Sequence, residues 1–283
     1  MAEPLSAPEP VGVSRHNMVL RIASAVVLAP LAIAAAYFGG FVFVAFWTAA
    51  AIGILWEWMR LVETAQTLPP FLVGTGALCV CAFLLGMDYP SVAMIAVALG
   101  ALGAAAIARF GKPIWIAGGV FYAGAILIAL VFLRDDPQFG FLAIMLLFAV
   151  VWTTDILGYF AGRALGGPKL APAISPKKTW SGSIVGLAGA VAAALLVARG
   201  FGSGHALYIA AIAFVLSVAS QAGDLFESRI KRFFDTKDTG NLVPGHGGLM
   251  DRLDGFWAAA VVAALIGAAV GGLDTPARGL IGW

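Results

Sequence analysis

The chain has 283 residues, 61% of them hydrophobic and only 11% charged, with a net charge of +2 and a mean hydropathy of +0.95. A soluble domain carries about 45–50% apolar and ~25% charged residues, so a soluble globular enzyme is excluded: one core could not bury this much apolar surface. Disorder is excluded because it needs low hydrophobicity and high charge, and the near-neutral balance implies no nucleic-acid partner.

The expected fold class is all-α, a polytopic membrane protein with about nine transmembrane helices. A spanning helix needs roughly 20 mostly apolar residues. Residues 1–16, rich in Pro and Ala, read as a short tail; apolar segments follow at 17–38, 41–62, 70–87, 91–110, 114–133, 139–160, 180–199, 206–228 and 253–273. The runs are continuous, which argues against barrel strands that alternate over about 10 residues. The first segment exceeds the ~7–15 residues of a signal-peptide core and reads as a retained helix.

Charge placement gives the orientation. With a cytoplasmic N-terminus and alternating helices, 14 basic residues fall on the cytoplasmic side: Arg15, Arg21, Arg60, Arg109, Lys112, Arg163, Lys169, Lys177, Lys178, Arg229, Lys231, Arg232, Lys237 and Arg252. Only 3, Arg134, Arg199 and Arg278, fall on the far side. This positive-inside bias supports the odd helix count and puts the C-terminus on the far side.

Residues 17–133 are apolar helices with short links. Ala96, Gly100, Ala104 and Ala108 repeat every four positions, a spacing that permits close packing within the chain or in a homodimer. Cys79 and Cys81 point in different directions on one helix and read as packing residues, not a disulfide. Trp56, Trp58 and Trp257 read as anchoring or packing residues, and Glu57 and Glu63 as a local ion-pair cluster around Arg60. Two longer links, 161–179 and 229–252, are rich in charge and glycine and fall on the cytoplasmic side. Long links among short ones are where function concentrates.

The eighth segment carries a polar stripe. Ser217, Ser220, Asp224, Ser228 and Lys231 are spaced by three or four and share one helix face. An ionised Asp224 in hydrocarbon costs roughly 2.5–3.5 kcal/mol on the insertion scale. Either a metal cation or an ion pair with Lys231 or Arg252 offsets that cost. Asp251 and Asp254 open the ninth segment, as helix N-terminal acids or as part of a site. Between the clusters lie Lys231, Arg232, Lys237, Gly240, Gly245, His246, Gly247, Gly248 and Arg252. Glycines bring backbone N–H groups close to an anion, and cations beside two acids suit a metal-bound polyphosphate: Mg²⁺ takes one or two carboxylates and completes its shell with phosphate and water. No Walker pattern is present.

The run Ser228-Arg229-Ile230-Lys231-Arg232, Lys237-Asp238, Pro244-Gly245-His246-Gly247-Gly248 and Asp251-Arg252-Leu253-Asp254 resembles the signature of the phosphatidate cytidylyltransferases (CDP-diacylglycerol synthases), with every fixed position filled over the 27 residues from Ser228 to Asp254. The segment Ser175-Pro176-Lys177-Lys178-Thr179-Trp180-Ser181-Gly182 is similar to a second family segment, except that Ser181 stands where a Glu is common.

The resemblance implies a nucleotidyltransferase of phospholipid biosynthesis in the bacterial inner membrane, with its site facing the cytoplasm. It would make CDP-diacylglycerol and pyrophosphate from CTP and phosphatidic acid with Mg²⁺, with or without a second cation. On this reading residues 134–283 form the catalytic membrane region. Asp224 and Asp251 hold the metal, and Asp224, Asp251 and Lys231 carry the chemistry. Lys177, Lys178, Ser228, Arg232, Lys237, His246 and Arg252 bind substrate, and Asp155, Ser175, Glu227 and Asp254 support them. Asp155 otherwise reads as the start of a polar stripe with Tyr159 and Arg163. The alternatives are another CTP-dependent lipid-phosphate cytidylyltransferase, or an ion-coupled transporter using Asp155 and Asp224. A transporter would need polar groups continuing to the far side, where helices six, eight and nine lose their charges.

Overall fold

A computed structural model describes residues 15–62, 67–108, 112–202, 204–240, 242 and 247–282, with side chains from Val26 onward. In chain order the elements are α1 (Arg15–Phe38), α2 (Gly40–Val62), α3 (Leu68–Leu85), α4 (Pro90–Ile107), α5 (Pro113–Arg134), α6 (Gly140–Leu165), β1 (Lys169–Ala171), β2 (Ser175–Thr179), α7 (Trp180–Gly200), α8 (Ala206–Phe233), α9 (Met250–Gly271) and α10 (Pro276–Ile281). Among the described residues, eight helices, α2 to α9, are long and apolar enough to cross a membrane, and α1 adds a shorter apolar stretch, Val26–Phe38. The expected polytopic helical architecture is therefore present.

Three details differ from the sequence reading. The link after the sixth segment is an antiparallel hairpin in which Lys169 pairs with Thr179 and Ala171 with Ser175. Helix α6 runs on to Leu165 and stops where Gly166 and Gly167 take positive φ, a conformation that glycine adopts without penalty. Helix α8 continues past residue 228 to Phe233, so Lys231 and Arg232 are helical, and α9 begins at Met250, so Asp251 lies in its first turn.

Alternation of the helices gives the bundle two faces. One carries the β-hairpin and the α8–α9 link; the other carries the α5–α6 turn and α10. On the second face Arg134 donates to the carbonyls of Ala36 (2.6 Å) and Tyr37 (3.3 Å), and Asp136 caps α6 by accepting from Gln138 N and Phe139 N at 2.9 and 2.8 Å. Arg278 of α10 reaches Asp136 at 3.4 Å. These polar groups are spent on holding helix ends.

Lipid tails are as apolar as leucine, so helix association here rests on close packing rather than on burial from water. The fully buried centre comes mainly from α2, α5 and α6, with Ile54, Leu55, Ile126, Leu127, Leu130 and Leu146. Leu99 and Leu102 of α4 stay exposed, as lipid-facing residues do. The α6–α7 crossing is backbone against backbone: a Cβ on Gly182 would meet Gly158 O and the Cα of Gly162, and one on Gly186 would meet Thr154 O. In α8 and α9, Gly223 lies against Ala258 and the Asp254 carbonyl, and Gly255 against Ser220. This second crossing brings Asp224 beside Asp254. Within the four-residue repeat of α4, Gly100 packs on Ala77 of α3, an intramolecular use of that position. Cys79 and Cys81 are free thiols, one exposed and one buried. Trp58 and Trp257 pack as expected, donating to Trp115 O (2.7 Å) and Tyr122 O (2.8 Å), with Trp257 stacked on Tyr122.

Candidate active site

The polar stripe of α8 meets α6, β2 and the first turn of α9 at the hairpin face. Thr179 caps α7 by accepting from Gly182 N at 3.2 Å, which fixes the exit of β2 and with it Lys178. Lys178 forms an ion pair with Asp224, whose other oxygen is 3.5 Å from Ser228 Oγ one turn along α8. Strand alternation turns Lys177 away; it is exposed and makes no hydrogen bond or ion pair with a described residue.

Lys231 bridges two acids. Its Nζ is 2.6 Å from Asp251 Oδ1 and 3.1 Å from Glu227 Oε1. Asp251 Oδ2 accepts three further bonds, from Thr239 N (3.0 Å), Thr239 Oγ1 (3.0 Å) and Gly248 N (3.1 Å). The two oxygens thus divide their work: Oδ2 holds Thr239 and Gly248, while Oδ1 faces the Lys231 ammonium. Glu227 is 0% exposed and its Oε2 has no hydrogen-bond partner. Asp155 lies in the field of Asp224, Lys178 and Arg252, and Asp254 in that of Asp224, Asp155 and Lys231. Asp155 keeps accessible surface. Arg163 donates to Tyr159 (3.1 Å), so the expected α6 stripe divides: Tyr159 and Arg163 pair, and Asp155 faces the site.

Five acids, Asp155, Asp224, Glu227, Asp251 and Asp254, gather here with Lys178, Lys231 and Arg252. Hard carboxylate oxygens are the donors Mg²⁺ prefers, and Glu227 Oε2 is a buried acceptor with no hydrogen-bond partner. No three acidic, imidazole or thiol groups among the described residues converge on one point to hold an ion unaided.

The remaining sequence candidates fall around this centre. Arg232, Lys237 and Arg252 are exposed on the same face, and Ser175 is half-buried at the start of β2. His246 lies outside the described residues. Ser181, at the position where a carboxylate is common in the similar segment, bonds to the Gly166 carbonyl and the Thr179 hydroxyl, and so braces the hairpin.

Sequence reasoning misplaced Glu57. Among the described residues it pairs with no basic side chain: Arg60 is exposed over the Trp56 ring at 5.9 Å, and Glu63 lies outside the described residues. Glu57 is instead 1% exposed and accepts from Leu249 N (2.9 Å) and Met250 N (2.8 Å). The signal available was a helix start, Gly247-Gly248-Leu249, that supplies no side chain of its own to cap it. Thr239, buried between Glu57 and Asp251, was missed for lack of any local pattern.

The fold is that of a polytopic helical membrane protein, with acidic and basic side chains gathered at one face. Residues 19–270 match the model of the cytidylyltransferase family, and the chain belongs to that family. It is a nucleotidyltransferase. It is 44% identical over 262 residues to a phosphatidate cytidylyltransferase of Brucella suis biovar 1, covering 92% of this chain and 97% of that protein. The phosphatidate cytidylyltransferase of Brucella abortus biovar 1 is 44% identical over 254 residues, 89% of this chain and 94% of that protein. The enzyme of that name from Bacillus subtilis is 43% identical over 129 residues, 44% of this chain and 46% of that protein.

Proposed function

We propose that the chain transfers a cytidylyl group from CTP to phosphatidic acid, giving CDP-diacylglycerol and pyrophosphate, at a site between α6, α8 and α9 that opens to the cytoplasm from the bacterial inner membrane. The observation that carries the reading is the meeting of two lysine-covered carboxylates, Lys178 on Asp224 and Lys231 on Asp251, at one face of the bundle. The near full-length similarity to phosphatidate cytidylyltransferases supports the substrate pair, and the 14-to-3 split of basic residues supports the orientation.

A phosphatidate phosphate is already ionised at neutral pH and needs no strong base. What it needs is relief from the repulsion of the CTP phosphates, so catalysis is mainly positioning and charge compensation. A phosphatidate oxygen attacks the α-phosphorus, the bond from that phosphorus to the α,β-bridging oxygen breaks, and the electron pair leaves on pyrophosphate. Lys178 and Lys231 exchange their carboxylates for phosphate oxygens when substrate enters. Arg232, Lys237, Arg252, Lys177 and His246 take up the remaining phosphate charge, and Ser228 holds a phosphate. Asp224 and Asp251 are the residues that would hold Mg²⁺, with Asp155 and Asp254 supporting them. When bound, Mg²⁺ supplies Lewis-acid polarisation of the α-phosphoryl group and charge shielding on pyrophosphate. The acyl chains stay in the bilayer, which explains why acidic groups reach into membrane-spanning helices.

The test is incubation of the purified protein in detergent with labelled CTP and phosphatidic acid, with and without Mg²⁺. Mg²⁺-dependent CDP-diacylglycerol is the expected product, and its absence over varied lipid and metal conditions contradicts the reading.

A further inference from the structure

The N-terminus of α9 has an unusual cap. Leu249 occupies the cap position and offers no side-chain acceptor. The first N–H groups of a helix have no partner within the helix, and leaving one buried and unsatisfied is destabilising. Here Leu249 N and Met250 N both donate to Glu57, about 190 residues earlier in the chain, near the hairpin-face end of α2. The Thr239 hydroxyl lies 3.0 Å from Asp251 Oδ2, which takes its single proton, and 3.4 Å from Glu57 Oε2, so it is lodged between the two carboxylates. Two carboxylates from different helices therefore clamp the two ends of the link, Thr239 and Gly248–Met250. The fit leaves no slack: a Cβ on Gly240 would lie 2.8 Å from Glu57 Oε1, and one on Gly248 would lie 2.8 Å from both Glu57 Oε2 and Asp251 Oδ2. The glycines sit where the clamp passes.

We infer that Glu57 is a positioning residue for the cytidylyl transfer: from a helix outside the motif-bearing region it holds Leu249 and Met250 at the start of α9 and, beside Thr239, orients the carboxylate of Asp251. The inference rests on the reading under Proposed function. Asp251 Oδ2 is held by three donors of the link, so only a fixed link leaves Oδ1 aimed at Lys231 and the substrate. A carboxylate from α2 also complements the positive end of α9. Glu57 touches no substrate in this account and acts through its neighbours.

The test uses the full-length protein in detergent, with Glu57→Gln, Glu57→Ala and Thr239→Val compared with wild type. Loss of a partner that orients a metal-binding group costs roughly 10- to 100-fold in activity or metal affinity. Glu57→Ala should fall in that range, Glu57→Gln should lose less because one acceptor survives, and Thr239→Val should resemble Glu57→Gln. The Mg²⁺ concentration for half-maximal activity should rise while KM for phosphatidic acid stays unchanged, a split that a simple loss of folded protein would not produce. Hydrogen–deuterium exchange should accelerate across residues 239–251 and stay unchanged in α5. Wild-type kcat and Mg²⁺ response in Glu57→Gln and Thr239→Val would overturn the inference. If wild type shows no transfer activity, the proposed function fails, and the exchange measurement still decides the clamp: unchanged exchange across 239–251 in both variants would refute it.

Discussion

Lys231 on α8 and Asp251 on α9 meet at 2.6 Å, and the same ammonium lies 3.1 Å from Glu227, one turn back on α8. One cation thus serves two acids from two helices, and Glu227 is fully buried. Removing one partner of such a buried group strands charge and costs about 3–5 kcal/mol, whereas replacing both sides with neutral groups can be nearly neutral. Lys231→Met should therefore lower the melting temperature in detergent markedly. The double variant Glu227→Gln/Lys231→Met should recover part of the stability and none of the activity. Equal melting of the single and double variants would show that Glu227 is not the stranded charge.

The hairpin separates two lysines that look equivalent in sequence. Lys178 faces Asp224, and Lys177 is exposed on the opposite side of β2. A charge-assisted hydrogen bond is worth about 1.5–3 kcal/mol, so Lys178→Ala should lose roughly ten- to a hundredfold in kcat/KM. Lys177→Ala should lose less. Steady-state kinetics of both variants and of their double variant give the answer.

The α6–α7 crossing has no room for a side chain at Gly182, where a Cβ would press on Gly158 O and Gly162. Overpacking of this kind costs about 1–3 kcal/mol. Gly182→Val should lower thermal stability. Gly200→Val, where a Cβ meets nothing within 4 Å, should not, since Val is also a better helix former than Gly.

Sidedness can be read by thiol labelling in a variant without Cys79 and Cys81. Ser175→Cys and Asp238→Cys should label from the cytoplasmic side and Pro137→Cys from the far side. Position 240 is unsuitable, because a side chain there would collide with Glu57. Labelling of 175 and 238 from opposite sides would contradict the helix alternation.

These outcomes separate what the sequence carries from what it hides. The membrane helices were legible because each span is one uninterrupted apolar run, and the stripe Asp224-Ser228-Lys231 because helix periodicity puts it on one face. Helix ends were less legible: Arg229 to Phe233 are as helix-compatible as what precedes them, and nothing apolar marks where α8 leaves the bilayer. The pairing of Lys178 with Asp224 joins residues 46 positions apart and depends on the exit angle of a short hairpin. Glu57 was misread because a local rule, charge at i+3, offered Arg60 as a partner. The stronger demand came from the N–H groups of α9, whose Gly247-Gly248-Leu249 start shows that a cap is needed but not which distant residue supplies it.

The central claim is that Asp224 and Asp251 are a metal-binding pair and not two structural ion pairs. The most direct measurement is CDP-diacylglycerol formation as a function of Mg²⁺, alongside thermal melting, for wild type, Asp224→Asn and Asp251→Asn. Asn keeps the shape but loses the charge that holds a hard cation. The account predicts near-complete loss of turnover in both variants, with Asp224→Asn melting close to wild type because Lys178 is partly solvated. Wild-type turnover in either variant would contradict it, as would loss of folding in both with no change in Mg²⁺ dependence.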